Sequence, residues 1–147
     1  MSVTRIDQHM AAAATLMLPE KIGEELRTRY RQLPVLVRTA GLAGAYAFLV
    51  SKADGKDDIG RAYADVVEGI RERLVSRGLA TGATPIELLT SLATLPSAAY
   101  AYAAADVRAL AGWLSRLADA RYKADRATAE DKATAEDKAA AEDKVRE

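Results

Sequence analysis

Four arginines stand close together in this chain: Arg27, Arg29, Arg31 and Arg38 fall within twelve residues. Arg27 and Arg31 are four apart and share a helix face. A planar guanidinium can grip two phosphate oxygens at once, so such a face suits a nucleic-acid backbone. Contacts of that kind position a strand without reading its bases. The same residues allow a plainer reading. Glu24 precedes Arg27 by three and Glu25 precedes Arg29 by four, spacings that neutralise charge along a helix. A phosphate-binding face and a solvated, salt-bridged face therefore both stay open.

Little else could carry chemistry. The chain has no cysteine, which removes disulfides, thiolate metal sites and cysteine nucleophiles together. His9 is the sole histidine and has no histidine or glutamate partner at metal-binding spacing. It reads as an ordinary helix residue. Asp57 and Asp58 are adjacent, and successive helical residues do not share a face, so they read as helix-capping groups rather than a catalytic pair. Gly41-Leu42-Ala43-Gly44 lacks the span and the Lys-Ser/Thr of a phosphate loop, and its small residues suit close helix approach. The carboxylates near the C-terminus lack the glycine and spacing of a calcium loop. Tyr100 and Tyr102 flank one alanine, so one is expected in the core and one at the surface. The expectation is no enzyme, no metal and no cofactor.

The elements that position these residues read as helices throughout. The chain has 147 residues, half of them hydrophobic, with only 5% aromatic, so one domain is built on an aliphatic core. No stretch alternates as a half-buried strand would. Six helical segments are expected. The first spans about 4–18 and ends at Pro19; the second opens at Pro19 and carries Ile22, Leu26 and Tyr30. Pro34 is expected to interrupt it, leaving a short turn at 35–39. Gly41 opens the third segment, 42–52, and Asp54-Gly55 marks a turn. The fourth, 58–77, carries Tyr63, Val66, Val67, Ile70 and Leu74. Thr84-Pro85-Ile86-Glu87 is a capping box that opens the fifth, with Ile86, Leu89 and Leu92 facing the core. The sixth starts near Ser97 and carries Val107, Leu110, Trp113, Leu114 and Leu117. The fold class is all-α, a compact helical bundle.

The net charge is zero, but it is unevenly spread. Residues 1–123 hold 16 Lys/Arg against 13 Asp/Glu; residues 124–147 hold 5 against 8. From Ala127 the chain reads ATAEDK, ATAEDK, AAAEDK. Each six-residue copy turns by roughly 120° from the last, so no constant face forms and no coiled-coil seam results. The domain division is 1–123 for the bundle and 124–147 for a helix-prone, solvated, frayed tail that serves as an appendage without a partner of its own. The longest nearly unbroken apolar run, 42–50, has nine residues where a bilayer span needs roughly 20. With no signal-like N-terminus either, the expectation is a cytoplasmic chain with no membrane contact.

Three stretches carry a resemblance. Leu33-Pro34-Val35-Leu36-Val37-Arg38-Thr39-Ala40-Gly41-Leu42, followed by AYAFL at 45–49, resembles a signature of the small subunit of the type III-B CRISPR effector, the Cmr complex. Gln8 with Ala11 and Ala14 is similar to the family's first helix. Tyr102 and then DVRALAGWLSRLA at 106–118 are similar to its last. The order and spacing agree over 4–120, and the hexad tail lies outside. Ala40 and Gly112 stand where the family often has asparagine. The resemblance implies a small, all-helical, non-catalytic subunit that stacks in several copies as a filament inside an RNA-guided complex. Its partners would be the backbone and large subunits, guide RNA, target RNA and copies of itself. For RNA-backbone or subunit contact it favours Arg38 and Arg116, by their place in the motifs. Arg27 and Arg31 join them from the cluster, with Lys52 behind. The competing reading is a helical scaffold or adaptor with no nucleic-acid role.

Overall fold

A computed structural model describes residues 3–146, with side chains over 8–145. It contains five helices: α1 (Val3–Met17), α2 (Glu24–Lys52), α3 (Asp58–Ser76), α4 (Pro85–Thr94) and α5 (Ser97–Arg146). No strand occurs among the described residues. The all-α bundle expected from the sequence is therefore the fold, with one helix fewer than the six segments.

The count differs because α2 is taken as one helix through Gly41, where the expected third segment does begin at a non-helical residue; Pro34, by contrast, lies inside α2 without interrupting it. Proline removes one backbone bond and crowds the preceding turn. Leu33 and Val37 on either side are buried in the core, and that packing holds the helix through the defect. The expected turn at 35–39 is thus continuous helix. The break comes at Gly41, where φ is 77° and ψ is 170°. That region is open essentially to glycine alone. Leu42, Ala45, Tyr46 and Leu49 beyond it are redirected into the core.

Two further expectations are corrected. The second helix starts at Glu24 rather than Pro19. Residues 19–23 form a link in which Ile22 is buried and the Pro19 carbonyl accepts a bond from Arg121 Nη1 at 2.8 Å. On α4, Leu88 and Leu92 are buried, Leu89 is half-buried and Ile86 is exposed. The buried pair is spaced by four and shares Leu92 with the expected set, so the core face lies about 80° round the helix, under a quarter turn, from the expected one.

The capping signals act as read. The Asp57 carboxylate accepts from the Gly60 N–H at 2.6 Å. The Thr84 hydroxyl accepts from Glu87 N–H at 3.2 Å, while Glu87 reaches back to the Ala83 N–H at 2.8 Å. The five apolar residues expected on the fourth segment are all buried on α3.

The four long helices pack as a square. α2 lies beside α3 and α5, and α1 also lies beside α3 and α5. Round the square the order is α2, α3, α1, α5, with α4 packed against α2 and α3. The α2–α5 edge and the α1–α3 edge are therefore opposite sides of the molecule. Arg27 of α2 meets Asp119 and Ala43 meets Tyr100, so α2 and α5 run antiparallel. An α3–α5 diagonal is closed by Arg73 on Asp106, with bonds of 2.7 and 3.0 Å and each side chain 9% exposed.

α2 is also the one described helix long and apolar enough to cross a membrane. Eight of its side chains are in the protein core, which accounts for that character. α5 runs unbroken through the hexad tail, whose side chains are exposed over 123–145. The tail is thus helical, where fraying was expected.

Candidate nucleic-acid and subunit interface

The arginine cluster lies on the α2–α5 edge. Arg27, Arg31 and Arg38 fall within about 40° of one another round α2, since successive residues turn by about 100°. They do not share one environment. Arg27 donates to Asp119 at 2.6 Å and lies over the Tyr122 ring at 4.5 Å. Arg31 reaches the same Asp119 oxygen at 3.0 Å. Lys123 holds the other oxygen at 3.2 Å. Hydrogen bonds from Arg27 and Lys123 hold the Asp119 carboxyl below the usual carboxylate range.

This arrangement sorts the candidates. Arg27 is half-buried and ties α2 to α5, so it is mainly a structural group. Arg31 shares the tie but keeps over half of its side chain exposed. Arg38 is exposed and has no ion pair among the described residues. Arg116 is exposed and lies over the Trp113 ring at 5.2 Å, with no carboxylate partner among the described residues. Lys52 is exposed over Phe48 at 5.6 Å, at the far end of α2. It lies on the far side of the Gly41 bend from Arg31 and does not join the cluster. Of the internal pairs read from spacing, Glu25–Arg29 forms at 3.6 Å, whereas Arg27 turns to Asp119 instead of Glu24.

Sequence reasoning missed Arg108. It is exposed on α5 without an ion pair and precedes Arg116 by eight residues, about two turns. Gly112 falls midway, and an added Cβ there would lie 3.5 Å from Arg116 Nη1. Arg108, Gly112 and Arg116 form one stripe with Asp119, the residue that α2 reaches. The i, i+4, i+8 spacing was the available signal. It was masked because only Arg116 fell on a motif position.

The geometry of the edge depends on Gly41. Restarting the helix there leaves amide groups without helical partners. The Tyr100 hydroxyl accepts one of them, from Ala43, at 2.9 Å. Tyr100 is half-buried and Tyr102 is 71% exposed, the division expected of the pair. Gly44 is exposed and meets only its own helix, so Gly41 serves a bend rather than the close helix contact expected of the two glycines.

Among the described residues no charged side chain is fully buried. Burial pushes the Tyr30 and Tyr46 hydroxyls above the ordinary phenol range, so both are neutral near pH 7. Tyr46 donates to the Val67 carbonyl at 3.0 Å. Among the described residues no three His, Asp or Glu side chains gather in a metal-binding group. His9 is exposed. What the surface offers is fixed cations on a rigid edge, suited to binding an anionic polymer or an acidic protein face.

Comparison with known families matches the Cas_Cmr5 model, described as a CRISPR-associated protein, over residues 4–121. Comparison with curated proteins and with solved structures gives no match.

Proposed function

Since the chain belongs to the Cas_Cmr5 family, which implies a small subunit of a CRISPR Cmr complex, we propose that it is a non-catalytic minor-filament subunit of a type III-B RNA-targeting effector. Several copies stack along the guide–target duplex in the cytoplasm and hold target RNA by its backbone. The partners are the backbone and large subunits, guide RNA, target RNA and further copies of this chain.

The observation that supports this reading is the α2–α5 edge. Arg38, Arg108 and Arg116 are exposed there with no carboxylate within ion-pairing distance among the described residues. Arg108 and Arg116, two turns or about 12 Å apart on α5, suit two phosphates of one strand that are not adjacent. Arg38 serves phosphate or neighbour contact, and Lys52 lies as an outlying cation at the end of α2. Contacts of this kind are weak singly and gain strength from repetition along a filament.

Purification of the tagged chain from its native host, with sequencing of bound RNA, tests the reading. Repeat-derived guide RNAs and larger partner proteins are expected. In the reconstituted complex, Arg108→Glu with Arg116→Glu should weaken target capture. It should also flatten the salt dependence by roughly 0.7 per lost phosphate contact. Recovery of the chain alone at low salt would overturn the reading and leave a helical scaffold without an RNA role.

A further inference from the structure

The edge opposite the arginines has the opposite character. Between α1 and α3 lies an open groove of about 520 Å³. Leu16 and Met17 line one side, and Asp65 and Glu72 line the other. Leu16 is 88% exposed, the most exposed large apolar side chain described. The neighbouring cations are already committed: Arg71 to Glu68 and Arg73 to Asp106. Asp65 and Glu72 have no ion pair among the described residues, so the groove is left negative.

On the α2–α5 edge the pattern is complementary. Val35 is 48% exposed between Arg31, four residues before it, and Arg38, three after. Arg31 and Arg38 are seven residues apart, about 10 Å of helix rise, and so are Asp65 and Glu72. Arg31 shares Asp119 with Arg27 and Lys123, three cations on one carboxylate, so this end of the ridge stays positive and Arg38 adds an unpaired cation. An apolar residue between positive groups on one side of the molecule thus matches an apolar groove flanked by two carboxylates on the other.

We propose that the α1–α3 groove receives the Arg31–Val35–Arg38 ridge of a second copy of this chain. The contact deepens the multi-copy reading above and rests on it, and it assigns Arg38 to the neighbour, leaving Arg108 and Arg116 for RNA. Because the two surfaces lie on opposite edges, the contact is heterologous and does not close a dimer: each copy offers a ridge forward and a groove behind. The zero net charge of the chain fits this, since copies that pack in a row need opposite faces rather than like-charged surfaces.

The absence of native cysteine allows a direct test on the full chain. Leu16→Cys and Val35→Cys variants are mixed under mild oxidation, without RNA or other subunits. Mixed dimers are expected to form faster than either homodimer by about tenfold or more at low salt, and to lose most of that excess near 1 M salt, where charge is screened within about 3 Å. A chain carrying both cysteines should give a ladder of oligomers. Arg38→Glu in the Val35→Cys chain should abolish the excess, and Glu72→Arg in the Leu16→Cys chain should restore it. Both charge changes are at exposed positions, and circular dichroism confirms that each variant is folded. No excess over homodimers, no ladder, or no restoration by the paired reversal would overturn the proposal. Because the assay contains no RNA, its failure leaves the RNA reading untouched. Recovery of the chain without guide RNA would likewise leave the crosslinking result standing.

Discussion

Replacing Gly41 by alanine isolates the device that shapes the α2–α5 edge. Gly41 has φ 77° and ψ 170°, and an added Cβ would have only the Tyr100 hydroxyl near it, at 3.7 Å. Space is therefore not the obstacle, and the whole cost is backbone conformation. Holding a non-glycine residue there costs about 1–3 kcal/mol. Alanine recovers roughly 0.4–1 kcal/mol by restricting the unfolded chain. If the helix straightens instead, the Tyr100–Ala43 bond is lost at about 0.5–1.5 kcal/mol, and Leu42, Tyr46 and Leu49 swing off the core. Either route predicts a net loss of roughly 1–2 kcal/mol, or about 4–8 °C in Tm for a domain of this size. Urea and thermal unfolding followed by helical circular dichroism would measure it, with Tyr100→Phe as the second arm of a double-mutant cycle. The two losses should be less than additive, because both act on the same amide. A Gly41→Ala protein as stable as the parent, within about 0.5 kcal/mol, would refute the reasoning.

Three other expectations concern the Asp119 tie and the tail. Asp119 is held below its usual pKa by hydrogen bonds from Arg27 and Lys123, so its contribution to stability is full above the ordinary aspartate range near pH 4 and is lost as pH falls through the lowered value. Asp119→Asn should flatten the acid limb of a stability–pH profile; Glu68, lowered by its bond from Arg71, leaves a residual slope of the same sign. An unchanged acid limb would show that the α2–α5 tie is not formed in solution. The tail side chains are exposed over 123–145, and only Asp125, Thr128 and Ala129 lie beside the 21–23 link, so truncation after Lys123 should shift Tm by less than about 2 °C. A peptide of residues 123–147 alone should be mostly non-helical, because the bundle portion of α5 supplies its costly nucleus. A strongly helical isolated peptide would contradict this.

The fold class was legible because the controlling interactions are local. The stripe of Tyr63, Val66, Val67, Ile70 and Leu74 repeats with the helical period, and it is buried. Thr84 and Glu87 announce a helix start through bonds spanning only a few residues. Gly41 marked a break because glycine alone accepts its backbone angles. Pro34 misled for the complementary reason. Its local penalty is real, but Leu33 and Val37 are packed by other helices, and nothing within a few residues of Pro34 reports that packing.

The candidate site divides in the same way. Sequence spacing placed Arg27, Arg31 and Arg38 on one face, since helix geometry alone sets that. Which of them stays free was decided by Asp119, some ninety residues away, which takes up Arg27 and Arg31 and leaves Arg38 exposed. Arg108 and Arg116 share a stripe by spacing alone, but that the stripe borders α2 was decided by the packing of α5 on α2. The opposition of an arginine edge and an acidic groove exists only in the packed square, because α1 with α3 and α2 with α5 are brought together by burial of their apolar faces. Local geometry is written in short-range spacing; which charges find partners depends on contacts that only the folded chain creates.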